Sequence, residues 1–222
     1  MSYRDQLIAR FGLRVIIPAA AVLVGALVIV IISLSQMASE VNNIEDRLTA
    51  RSVEAALQVT VRNLEQTHRD YAQWDDAVRN AYGDVNQTFM EETYGSSTTV
   101  DHVLFDTVML VDEVGRVRYA VRRGEPVAES PADAFGPGLS ALTRPLVRDG
   151  VSYDVRSGIL VTKWGLAVVS VGTVVPFSTD FSPPVGRSRL LVIGRAFDEE
   201  VVAHLREDYL IKDLRLADAS EA

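Results

Sequence analysis

Two neighbouring carboxylates, Asp75 and Asp76, and one guanidinium, Arg195, are the residues of this 222-residue chain whose types and settings could do chemistry. On a helical wheel Leu57, Leu64, Tyr71, Val78 and Tyr82 fall in one narrow arc. Asp75 lies inside that arc, Trp74 sits at its edge and Asp76 points the opposite way. Two carboxylates aimed apart do not make an acid–base pair. A carboxylate on an apolar face must instead be paired or hydrogen-bonded. Two roles are open for Asp75: a partner that fixes helix against sheet, or a ligand contact. Arg195 is the leading partner, because it alternates with Ile193 and Phe197 on one face of a strand-like run. Tyr71, Trp74 and Tyr119 are either core aromatics or walls of a ligand clamp.

Other chemistry is excluded by residue type or spacing. The chain has no cysteine, which removes disulfides, thiolate catalysis and cysteine metal sites. His68, His102 and His204 are far apart and match no zinc spacing. There is no Gly-x-Ser-x-Gly and no phosphate loop. The reading is a chain with no catalytic site, no cofactor and no metal. A formal net charge of −8, without any basic cluster, argues against nucleic acid as a partner.

The elements that must position these residues begin with a membrane segment. Residues 15–34 read VIIPAAAVLVGALVIVIISL, and no charge occurs between Arg14 and Glu40. A bilayer core of roughly 30 Å needs about 20 apolar helical residues to cross. Arg4, Arg10 and Arg14 precede the segment, whereas Glu40, Glu45 and Asp46 follow it. Positive residues stay inside, so residues 1–14 are expected in the cytoplasm and everything after Ser35 outside. Beyond the span Met37, Val41, Ile44 and Leu48 recur at heptad-like spacing, which predicts a helical stalk over 35–60 that pairs with a second copy. The pattern then changes phase and continues to Tyr82 without a Gly or Pro, so one helix is expected up to Gly83, its far half packed on a sheet.

After Gly83 the pattern becomes mixed. A short polar helix is expected over 86–93, then two strands in TVMLVDEVGRVRYAVRR with a tight turn at Asp112–Gly115. LSALTRPLV predicts a helix up to the region of Pro145. GILVTK and LAVVSVGTVV predict a second hairpin turning near Trp164–Gly165. RLLVIGRAF is apolar on both faces and reads as an interior strand. FDEEVVAHLRE has carboxylates in its first turn, as a helix prefers, and IKDLRLAD predicts a last strand. Sequential antiparallel strands with helices at the ends indicate an α+β fold.

Four short motifs resemble the fourth type of CHASE domain, an extracellular sensory module of bacterial and archaeal receptors. They are the Trp74-Asp75 pair, the Asn-x-x-Phe step at Asn86–Phe89, the Val-Asp-x-x-Gly turn at Val111–Gly115, and Gly-Arg-x-Phe-Asp at Gly194–Asp198. Their order and spacing cover residues 60–210. The resemblance implies a PAS/Cache-like antiparallel sheet with a long helix against it, and a sensory domain over 61–217. It also implies a second membrane helix beyond the tail at 218–222, and then a cytoplasmic cyclic-di-GMP cyclase, phosphodiesterase or histidine kinase. None of those output motifs occurs here, so the chain reads as a truncated receptor or the amino-terminal part of a longer one. The expectation is an inner-membrane homodimer whose periplasmic domain binds an unidentified small molecule or protein. A single-pass assembly subunit with an exported interaction domain is the alternative.

Overall fold

The computed structural model describes residues 3–100, 104–149, 152–179, 182–184, 186–211 and 214–216, with side chains outside 3–21, 38–39, 41–46 and 147–149. Two compact units divide the chain, Met1–Arg51 and Ser52–Ala222. Helix α1 (Tyr3–Ala72) supplies the helical residues of the first unit and enters the second at Ser52. In the first unit Val22, Leu23, Val24, Leu27 to Ile32 and Leu34 are exposed. Among the described residues no helix is long and apolar enough to cross a membrane. The span expected at 15–34 falls in part outside the described side chains, as do the stalk positions Val41 and Ile44. Met37 and Leu48 of the same heptad are exposed.

The second unit is α+β. Six strands form one antiparallel sheet in the order β3-β2-β1-β6-β5-β4: β1 (Thr107–Asp112), β2 (Val117–Arg122), β3 (Glu125–Pro126), β4 (Val155–Thr162), β5 (Gly165–Thr173) and β6 (Arg189–Ala196). The two expected hairpins are β1–β2 and β4–β5. The run that is apolar on both faces, β6, lies between them and is buried along its whole length. Burial on both sides is what a continuous apolar strand requires. Its register places Leu191 against Leu110 of β1 and Gly172 of β5.

Strand alternation sorts the core into two layers. Val108, Leu110, Val168, Leu191 and Ile193 face the helices α1 and α2 (Asp75–Ala81). Met109, Val111, Val169, Val171, Leu190 and Val192 face α5 (Pro131–Phe135) and α6 (Leu139–Asp149). The remaining helices are α3 (Gln87–Met90), a π-helical turn (Glu91–Gly95), α4 (Ser97–Val100) and α7 (Glu199–Tyr209).

Three expectations about elements are corrected. The helix expected up to Gly83 breaks after Ala72 and restarts at Asp75. Helix α6 runs through Pro145 to Asp149, because Leu146, one residue past the proline, is buried on the sheet. That burial offsets the missing backbone donor. The last expected strand does not form in its described part: α7 ends on Leu210 in the left-handed region (φ 54°), and Ile211 and residues 214–216 are irregular. Arg206 Nε donates to Leu214 O at 2.9 Å and holds this segment against α7.

Helix α1 meets the sheet through Ala56, Leu64, His68 and Ala72, all buried. The small side chains allow a close approach, and at Gly172 the approach is obligatory. A Cβ there would stand 2.6 Å from His68 Cε1. His68 Nε2–H donates to Leu191 O at 3.0 Å, and Nδ1 has no partner among the described residues. Burial pulls its pKa from 6.5 to about 4; the Leu191 carbonyl works against that shift and the Arg69 charge adds to it.

The folded state therefore keeps His68 neutral where the unfolded chain takes up a proton. Its contribution is complete above the unfolded value of 6.5 and is lost as pH falls from there towards about 4. The whole loss is roughly 3 kcal/mol. Urea unfolding between about pH 7.5 and about pH 5 should show the native chain losing stability faster than a His68→Gln variant. Equal slopes would mean that His68 is not held neutral by the core.

Candidate functional site

The break between α1 and α2 gathers three of the five candidate residues. A helix leaves its last carbonyls without intrahelical partners. Here they are taken up by groups from elsewhere in the fold. Tyr71 O accepts two bonds, from Trp74 Nε1 at 2.9 Å and from Tyr94 Oη at 2.8 Å. Ala72 O accepts from Val175 N at 2.9 Å, and Gln73 forms a parallel bridge with Val175. Trp74 is fully extended (φ −158°, ψ 155°), which turns the chain and starts α2.

Tyr71 and Trp74 enter an aromatic cluster. Tyr71 stands edge-on to Phe105 at 5.0 Å and 5.9 Å from Tyr94, while Trp74 lies 5.6 Å from Phe89. The Tyr71 hydroxyl is bonded to Ser97 Oγ at 3.0 Å. Burial first of all pushes the Tyr94 phenol well above its ordinary range, so it remains a donor. Tyr119 belongs to the same layer, and its hydroxyl donates to Glu91 Oε2 at 2.7 Å. Burial and then the Glu91 carboxylate raise its pKa strongly. The π-helical turn is wound close to this contact: a Cβ on Gly95 would stand 2.4 Å from the Tyr119 hydroxyl.

The expected Asp75–Arg195 pair does not form. The helix break changes the phase of everything after Ala72, so Asp75 leaves the apolar face and occupies the first turn of α2. Its Oδ1 accepts from Phe177 N and Ser178 N, both at 3.0 Å. The Ser178 N–H, then its hydroxyl, then the Phe177 N–H lower the Asp75 pKa, while burial opposes them. Asp75 thus ties the α1–α2 junction to the loop after β5. Asp76 is exposed and pairs with Arg79 at 2.7 Å.

Arg195 does lie on the helix-facing side of β6, but its neighbour is Asp198. Nη1 stands 3.7 Å from Asp198 Oδ2. That carboxylate also takes Arg123 Nη2 at 2.5 Å and caps α7 by accepting from Val201 N at 3.0 Å. Burial raises the Asp198 pKa, yet the Val201 N–H and the charges of Arg195 and Arg123 outweigh it and leave it lowered. Arg122 and Arg123 approach buried Asp106 at 3.5 and 3.4 Å.

Two cavities stand out on opposite faces of the sheet. One, of about 370 Å³, lies between α1 and α7 and is lined by Asn63, Leu64, Thr67, Arg195, Val201 and Leu205, among others. The other, of about 400 Å³, lies between β1, β6 and α5–α6, near Val111, Glu113, Ser130, Pro137, Thr143 and Val192. Of the five candidate residues, only Arg195 lines either one. Alternation on β6 was the signal for Arg195, whereas nothing in the sequence marked the α7 side of its cavity. Among the described residues no His, Cys, Asp or Glu cluster could hold a metal ion.

The motifs behind the resemblance are caps and turns. Asn86 Oδ1 accepts from Phe89 N at 3.2 Å and starts α3. Asp112 Oδ1 accepts from Val114 N at 3.1 Å and Arg116 N at 2.8 Å, with Gly115 at φ +82° completing the hairpin turn. Asp198 starts α7. The sequence profile of the CHASE4 domain matches residues 56–217. No curated protein matches the chain.

The shared acceptor at Tyr71 O gives a test of the junction. Trp74→Phe and Tyr94→Phe each leave it one donor and should cost about 1 kcal/mol. The double variant leaves the carbonyl with neither and should exceed the sum by roughly 1 kcal/mol in a denaturation cycle. Strict additivity would show that the two donors do not serve one group.

Proposed function

The chain belongs to the CHASE4 domain family, a family of receptor sensory domains, and from that premise we propose that it is the extracytoplasmic signal-input region of a membrane receptor. In this reading the amino-terminal part of α1 anchors the chain in the inner membrane, with residues 1–14 in the cytoplasm. The charge-free run at 15–34 and the exposed apolar side chains from Val22 to Leu34 support the anchor. The Arg-rich leading flank supports the orientation. The central last strand between two hairpins supports a PAS/Cache-like sheet.

One observation carries the relay. The far part of α1 is built into the core through Leu64, His68 and Ala72, with a hydrogen bond from His68 to β6. A rearrangement of the sheet or its cavities must therefore displace that helix. Packed helices respond by small shifts between discrete arrangements. A ligand drives such a shift only if it binds one arrangement better than the other. The second copy would lie along Met37, Val41, Ile44 and Leu48, and the output would be a cytoplasmic cyclase, phosphodiesterase or kinase outside this chain.

The absence of cysteine makes the test clean. Single cysteines at Met37, Val41, Ile44 and Leu48 should crosslink in membranes, and positions between them should not. Alkaline phosphatase fused after Ala222 should be active, and fused near Tyr3 inactive. Crosslinking without helical periodicity would remove the dimeric stalk, and the reverse fusion pattern would overturn the topology.

A further inference from the structure

Strand β6 carries a buried arginine near each end, and the two are treated differently. Arg189 is 4 % exposed and fully engaged: Nε donates to Ala81 O at 3.0 Å, Nη1 pairs with Glu113 at 2.5 Å, and the guanidinium lies 5.5 Å from the Tyr82 ring centre. Arg195 is also 4 % exposed, yet among the described residues its Nε and Nη1 have no hydrogen-bond partner. Its one ionic neighbour among the described residues, Asp198, stands at 3.7 Å and is already bonded to Arg123 and to the start of α7. A buried guanidinium with unused donors is costly to maintain.

Arg195 lines the cavity of about 370 Å³ between α1 and α7. That volume lies in the range of about 300–1,000 Å³ usual for small-molecule sites. The walls are apolar at Leu64, Leu104, Val201 and Leu205. The cluster beside it holds three guanidiniums, Arg122, Arg123 and Arg195, against two carboxylates, Asp106 and Asp198. Within this cluster alone the cations exceed the carboxylates by one. Glu200 and Asp208 also line the cavity and disfavour a ligand with more than one negative charge.

We infer that this cavity binds a small monocarboxylic acid with an apolar body, its carboxylate on Arg195 and its body between α1 and α7. The planar fork of a guanidinium suits a carboxylate, which accepts two parallel N–H bonds. The apolar walls remove the rest of the ligand from water. Asn63, Leu64 and Thr67 of α1 line the site, so an occupant touches the helix that carries the signal. This inference rests on the signal-input reading for the purpose of binding, though not for binding itself.

The test uses the purified full chain in a non-ionic detergent, with hexanoate and benzoate as probes, hexanamide and benzamide as uncharged controls, and citrate as a polyanion. Calorimetry and thermal unfolding should show saturable binding of a monocarboxylate, at least about tenfold tighter than its amide or citrate. Arg195→Met should weaken it by about tenfold or more while circular dichroism stays native; partition into micelles would affect both proteins alike. Should Arg195→Met fail to fold, Thr67→Phe, which fills the cavity and keeps the arginine, must abolish binding. Equal affinity for acid and amide, full binding by a folded variant, or no saturation with either acid overturns the site and leaves the signal-input reading standing. Binding without any change in stalk crosslinking supports the site and overturns its use as the input.

Discussion

The carbonyl oxygens left over where α1 stops are the constraint on which the rest of the second unit depends. Tyr71 O and Ala72 O lie in the last turn of the helix, where no intrahelical donor follows. Trp74 bends back to the first, Tyr94 reaches it from the π-helical turn, and Val175 reaches the second from the end of β5. These bonds bring together the long helix, the short helices after it and the sheet. Orphan helix-end carbonyls are ordinarily met by a glycine in the left-handed region or by water. Here side chains and a loop meet them, so the helix end is also a tertiary junction. Asp75 extends the same junction by holding the loop at Phe177 and Ser178.

The sheet supplies the opposite surface. Because β6 enters between two hairpins, its residues alternate between two cores, and each face has its own helical cover. The face towards α1 is unusually intimate. Gly172 leaves room for the His68 ring, and that ring donates to a strand carbonyl rather than only packing on it. A helix held by a buried polar bond and by small residues has little freedom to slide gradually. It holds one seating or moves to another, which is the property a relay element needs.

Family motifs and candidate site separate in this molecule. Asn86, Asp112 and Asp198 recur in the motifs because a cap or a tight turn requires their short side chains at those points. They describe how the scaffold is made. Arg195, three positions before the Asp198 that caps α7, keeps two guanidinium nitrogens without a hydrogen-bond partner among the described residues. Glu91 and Tyr119 show the contrasting case: a carboxylate and a phenol bonded to each other at 2.7 Å.

Patterns that depend on neighbours along the chain were legible in the sequence. The two hairpins, the interior character of β6, the start of α7 and the placing of Arg195 beside Ile193 all follow from alternation and from carboxylates at a helix start. The helix break at Gln73–Trp74 was not legible. Residues 70–76 contain no glycine or proline, the residues that most strongly break a helix. What ends α1 is a set of bonds from Tyr94 and Val175, residues over 20 and 100 positions away. That one decision rotated Asp75 off the apolar face and gave it to the loop at 177–178, and with it went the expected pair with Arg195. The sequence by itself determined the two hairpins and the interior strand, their faces and the charges they carry. Only the tertiary structure decided which of those charges are satisfied, because a hydrogen bond between distant segments leaves no periodic trace in either one.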